Sequence, residues 1–263
     1  MDLPHIALLP HTIVMLFFAG IAGGMVTATV GGAAIFTYPA LIASGIPPLP
    51  ATTCNLTASF PGALFAALSD RKQLPPFNRA FVATVLASMA GAGAGALVLL
   101  ATPQRVFEVL VPILLGFATV LFAFAPRVSE WLRERARRRG RELDIGTPSL
   151  KMLLPVSFYG GYFGGGVAIL VLGVLSVATG GDYRSANVVK NLIISLNCAA
   201  AAAVFIARGT VVWPQTLVLM AGSIAGGLVG ASLARIAPRE VMRVAVVVIG
   251  ALLTVFFAWR YWF

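Results

Sequence analysis

The stretch 158–197, FYGGYFGGGVAILVLGVLSVATGGDYRSANVVKNLIISLN, limits most narrowly what this chain can fold into. Glycines 160, 161, 164, 165 and 166 interrupt an apolar run. A polar turn follows at 180–184, and the next apolar run carries Lys190, Asn191, Ser195 and Asn197. Lipid offers no partner to backbone groups freed by glycine, and none to a lysine or an amide at membrane depth. Features this costly mark a place where something polar is held.

Composition establishes that the surroundings are lipid. Hydrophobic residues make up 59% of the 263, and charged residues only 11%. A soluble domain carries about 25% charged residues. Successive long apolar runs make the chain an all-α polytopic membrane protein. The formal charge of +10 sits mostly in loops between runs. That distribution orients a chain against an anionic cytoplasmic leaflet and argues against a nucleic-acid partner. The first ten residues, MDLPHIALLP, lack a basic n-region, so no removable signal is expected. Cys54 and Cys198 fall inside apolar runs without CxxC spacing, and His5 and His11 belong to no motif. Neither a disulfide nor a metal site is expected.

Four apolar runs cover about 13–44, 52–68, 81–100 and 106–124. The hydrophilic stretch 126–151 holds eight Lys/Arg residues and reads as a basic cytoplasmic connection, partly helical at the membrane surface. Four more runs cover about 152–179, 186–207, 213–233 and 241–262. The chain therefore divides into a transmembrane repeat at 1–125, the connection at 126–151 and a second repeat at 152–263.

The halves match residue by residue. Asn55-Leu56 aligns with Asn191-Leu192, and Ser59 with Ser195, at an offset of 136. Ser88 aligns with Ser223, Gly91 with Gly226, Gly95 with Gly230 and Pro103 with Pro238, at 135. Such duplication is the usual construction of secondary transporters. The first segment of each repeat is too long for one span. A stretch of more than 30 residues would make a helix of nearly 50 Å at about 1.5 Å per residue, where about 20 residues suffice. Two readings stay open. Each long segment is one tilted, partly unwound helix, giving parallel repeats of four spans, or it folds back at its glycines as a hairpin, giving inverted repeats. The loop charges near Arg208, Arg235 and Arg239 lean weakly to the inverted form.

The residues 23–24 to 31–32, Gly45-Ile46-Pro47-Pro48 and Ala51-Thr52-Thr53, with 160–166, 186–191 and Val212-Trp213-Pro214, resemble the TauE/SafE family of sulfite and organosulfonate transporters. The resemblance runs over nearly the whole chain. It implies membrane transport of small sulfur-containing or carboxylate anions. The first repeat departs from the richer glycine pattern, with Thr27-Ala28-Thr29-Val30 ahead of Gly31.

Beside the resemblance stands a reading from the residues alone. Gly31, Gly32, Gly164, Gly165 and Gly166 can expose backbone N–H groups at a helix break, and such amides bind anions at the positive end of a helix dipole. Close helix packing is the bland alternative. Lys190 either snorkels to the interface or faces a central cavity as counter-charge. Asn55 and Asn191, with Ser59 and Ser195 nearby, supply donors to an anion, or serve as interhelical glue. No carboxylate is central, and no catalytic constellation or cofactor motif occurs. The expected protein is a non-enzymatic secondary transporter of the inner membrane, with a small anion, the bilayer and a coupling proton or cation as partners. The rival is an anion or polar-solute channel.

Overall fold

The computed structural model describes residues 9–29, 31–138, 147–178, 183–233 and 239–262. All regular structure among them is helical. In chain order the helices are α1 (Pro10–Thr29), α2 (Ala34–Ala43), α3 (Pro48–Ser69), α4 (Arg79–Ala101), α5 (Gln104–Arg138), α6 (Thr147–Tyr162), α7 (Val167–Ala178), α8 (Tyr183–Ala207), α9 (Trp213–Leu233) and α10 (Arg239–Trp262). A single 3-10 turn, Arg71–Gln73, joins α3 to α4. Pro48 opens α3 at a position where its missing N–H has no intrahelical role. Asn78 caps α4 by accepting from Phe81 N at 2.8 Å.

Both long first segments are broken at their glycines. The first becomes α1 and α2, the second α6 and α7. The hydrophilic connection is more helical than its composition suggests. Helix α5 does not stop at the end of its apolar run but continues to Arg138. Arg127 lies just past the apolar run, its guanidinium 5.5 Å from the Phe124 ring. Residues 139–146 lie outside the described set.

Five of the described helical segments are long and apolar enough to cross a membrane: Pro10–Thr29, Arg79–Ala101, Gln104–Phe124, Ser185–Ala207 and Arg243–Trp262. Outward faces are apolar, as lipid requires. On α5 the exposed stripe is Val106, Val109, Ile113, Phe117, Val120 and Phe124. On α10 it is Val244, Val248, Leu252, Val255 and Trp259. Spacings of three and four put each stripe on one helical face.

Small residues bring several helix pairs to backbone contact, two of them along much of their length. Helix α1 lies against α9, where side chains at Gly222 and Gly226 would meet Phe17 O and Ile21 O, and one at Gly230 would meet Met25. Helix α6 lies against α4, where side chains at Gly91 and Gly95 would meet Leu154 O and Phe158 O. In both pairs the partner numbers rise together, so the helices run parallel. Gly93, which shares the spacing of Gly91 and Gly95, touches nothing. Helices α3 and α8 pack together in the centre, α3 also against α9 and α8 against α4, while α5 packs on α7 and α10 on α2.

Candidate functional site

The two broken segments meet at α5. At the first break Gly32 has φ +104°, a left-handed conformation that a β-carbon opposes, and a side chain there would enter the Phe122 ring. At the second, Gly166 has φ +76° and lies against Ala118, one turn earlier on α5. Gly31 abuts Ala168 in the first turn of α7, so the breaks also touch each other. Gly164 faces Leu56 of α3, next to Asn55. Gly165, between two left-handed neighbours, is limited by the Phe163 ring instead. Tyr159 clamps this second break, its hydroxyl donating to Gly165 O at 2.7 Å. Tyr38 of α2 reaches the same place, with its ring 6.1 Å from Phe163 and 5.9 Å from Phe257.

A helix that stops leaves its last carbonyls without partners. Where α1 ends, Gly31 N returns to Val26 O at 2.6 Å. The next two carbonyls are taken by α8. Lys190 Nζ donates to Thr27 O at 2.9 Å. Asn187 Nδ2 and Asn191 Nδ2 both donate to Ala28 O, at 3.0 and 3.4 Å. The spacing of 187, 190 and 191 puts all three on one face of α8. The ammonium sits at the negative end of the α1 dipole, which favours a cation. Lys190 does not snorkel: it is 0% exposed, and it is the only charged side chain among the described buried residues. No Asp or Glu occurs on α1, α3, α4, α6 or α7, which pack around α8.

The two matching asparagines present opposite faces. Asn55, 3% exposed, accepts at Oδ1 from Thr37 Oγ1 at 2.5 Å. Its NH₂ has no acceptor among the described residues and is the free half. Asn191, 2% exposed, donates through Nδ2, and its Oδ1 is buried without a partner. Asn187 Oδ1 is likewise buried and unpartnered. Residue pattern alone left Asn187, Thr27 and Thr37 outside the candidate set. The Asn-x-x-Lys-Asn spacing was the signal for Asn187. None existed for the two threonines, because their partners are remote in sequence.

Other candidates are engaged in holding helices together. Ser195 Oγ donates to Phe60 O at 3.0 Å and ties α8 to α3. Ser59 is half-buried and makes no hydrogen bond among the described residues. Asn197 closes a ring with Ser88 and Ser157. Ser88 donates to its Oδ1 at 2.6 Å, its Nδ2 donates to Ser157 at 3.0 Å, and the serines are 2.8 Å apart. That ring joins α8, α4 and α6 and leaves no amide group over. Cys54 and Cys198 are separate buried thiols, and Cys54 Sγ accepts from Val212 N at 3.3 Å.

The arrangement combines two half-helix N-termini, a buried ammonium and amides with spare capacity, and among the described residues no carboxylate neutralises the charge.

Known proteins similar to this chain are membrane transporters. A family model described as Sulfite exporter TauE/SafE matches residues 16–257. A probable membrane transporter protein of Haemophilus influenzae is 27% identical over 241 residues, covering 91% of this chain and 92% of that protein. A probable membrane transporter protein of a Sinorhizobium species is 26% identical over 249 residues, covering 93% and 92%. The probable membrane transporter protein YfcA of Escherichia coli is 23% identical over 255 residues, covering 93% and 89%. No solved structure matches significantly.

Proposed function

The chain belongs to the sulfite exporter TauE/SafE family of membrane transporters, and from that membership we propose that it moves small anions, sulfite or organosulfonates, across the inner membrane. The anion is held where the two broken segments meet, and access alternates between the two sides. One observation carries this reading. Both breaks converge on α5 beside a buried lysine that has no acidic partner among the described residues. An uncompensated buried charge is costly, and an anion is the counter-charge that removes the cost. Broken helices that aim their N-termini at a substrate's anionic group are a recurring transporter device.

The two halves, 1–125 and 152–263, are inverted repeats in this reading, each opening with a helical hairpin. Several contacts support that. Leu153 near the start of α6, Leu175 near the end of α7, Ala67 late in α3 and Phe81 early in α4 belong to one cluster. Ser185 at the start of α8 donates to Gln73 at 3.4 Å. The α6–α7 segment thus enters and leaves on the side of the 71–73 turn. At the other end, Thr53 of α3 donates to Thr210 O at 3.0 Å, and α1 runs parallel to α9, which starts just after Thr210. The α1–α2 segment thus enters and leaves on the Thr210 side. Several contacts of one half have counterparts in the other: α1 with α9 as α6 with α4, α3 with α9 as α8 with α4, and α5 with α7 as α10 with α2.

Two experiments test this. In proteoliposomes loaded with unlabelled sulfite, labelled sulfite outside is expected to accumulate transiently by saturable exchange. Conduction without saturation would replace the carrier by a channel, and silence toward sulfite, sulfonates and carboxylates would remove the anion reading. For topology, Arg208→Cys is expected to react with an impermeant thiol reagent in intact cells, and Ser149→Cys only after lysis. Protection of both in intact cells would favour parallel repeats, and intact-cell labelling at position 149 would reverse the orientation.

A further inference from the structure

Around Lys190 the interior holds donors and acceptors that do not satisfy one another. The ammonium has three hydrogens. One goes to Thr27 O, and the other two have no acceptor among the described residues. Within one turn on the same helix face, Asn187 Oδ1 and Asn191 Oδ1 are buried and accept nothing. These oxygens cannot trade places with their amide nitrogens without loss, because both nitrogens are tied to Ala28 O. The site is therefore two-sided, with positive hydrogens from Lys190 beside two fixed amide oxygens.

We infer that the site selects anions that carry their own hydrogen-bond donor, such as hydroxy- or amino-substituted sulfonates and carboxylates. The inference rests on the anion-site reading above. The ligand's anionic oxygens receive the two spare Lys190 hydrogens, and its O–H or N–H goes to Asn187 Oδ1 or Asn191 Oδ1. A plain alkyl anion satisfies the lysine and leaves both oxygens buried and unpaired. Sites built to bond a substrate hydroxyl discriminate strongly against the analogue that lacks it, for this reason.

The test uses two pairs of probes that differ by one hydroxyl: ethanesulfonate against hydroxyethanesulfonate, and propionate against lactate. Affinities are measured by calorimetric titration of the purified full chain. The hydroxylated member of the better-bound pair is expected to bind at least about tenfold tighter. That advantage is expected to shrink toward parity in Asn187→Ala and Asn191→Ala, each accompanied by a melting curve. Equal affinities in the wild type, or tighter binding of the plain member, would overturn the inference and leave the anion site standing. So would a hydroxyl advantage that persists undiminished in both variants. If none of the four probes binds, the anion reading falls and the inference falls with it. The wild-type comparison decides the matter even if a variant fails to fold.

Discussion

Gly32→Leu is expected to abolish anion transport while leaving the chain inserted in the membrane. Two costs coincide at this position. The backbone is left-handed, at φ +104°, where an L-residue loses roughly 1–2 kcal/mol. The new side chain also has to displace the Phe122 ring, and overpacking of this kind costs about 1–3 kcal/mol. Together they amount to less than the roughly 5–15 kcal/mol that holds a typical domain. The chain is therefore expected to persist while the break loses its geometry. Phe122 contacts Gly32, and Ala118 one turn away contacts Gly166, so displacing α5 disturbs both breaks at once. Gly166→Leu is expected to behave the same way. Gly93→Leu is the control, because that glycine has nothing near it and its replacement should be silent. Sulfite exchange is measured beside the amount of inserted protein. Normal exchange by inserted Gly32→Leu would reduce the first break to ordinary packing.

Lys190→Met is expected to weaken anion binding by about 1.5–3 kcal/mol, the range for a hydrogen bond to a charged group. That is a loss of at least about tenfold in affinity. Stability should change little, because two effects oppose each other. Thr27 O loses its donor, which costs about 1–3 kcal/mol. At the same time an ammonium no longer has to be buried without a counter-ion, which removes a penalty of several kcal/mol in effective terms. Methionine keeps the length of the stem and fits an apolar interior. Asn197→Leu separates site from scaffold. Its amide is used up in the ring with Ser88 and Ser157, so it should lower stability by about 0.6–1.7 kcal/mol and leave affinity alone. Affinity is read by titration with sulfite and stability by thermal unfolding. Unchanged affinity in Lys190→Met would take the α8 cluster out of the site and leave only the glycine backbone to hold an anion.

Local physics made several features legible from residue order alone. A run of apolar residues in lipid has to be helical, because every backbone group must find its partner within the segment. Glycines at 31–32 and 164–166 placed the breaks, because left-handed backbone is open to glycine and costly for other residues. The burial of Lys190 was not legible in the same way. Its place in an apolar run was compatible with snorkelling, and what turned it inward is Thr27 O, 163 positions away. The extension of α5 to Arg138 was obscured because charge marks where the apolar layer ends, whereas a helix built of good helix formers can continue into water.

The asparagines show most clearly where residue order stops and tertiary structure takes over. Asn55 and Asn191 occupy matching positions, with the same side chain and a similar apolar setting. Thr37 holds one by its oxygen and Ala28 O holds the other by its nitrogen. One therefore offers a donor, the other an acceptor. An amide carries both functions on one planar group, and which function remains free depends on the partner that takes the other. Residue order was enough for the helices, their glycine breaks and the presence of polar groups among them. The packing of α8 against the end of α1, and of α2 against α3, settled which of those groups were used up and which were left unpaired. Hydrogen bonds act over about 3 Å, and that separation is set by segments far apart along the chain.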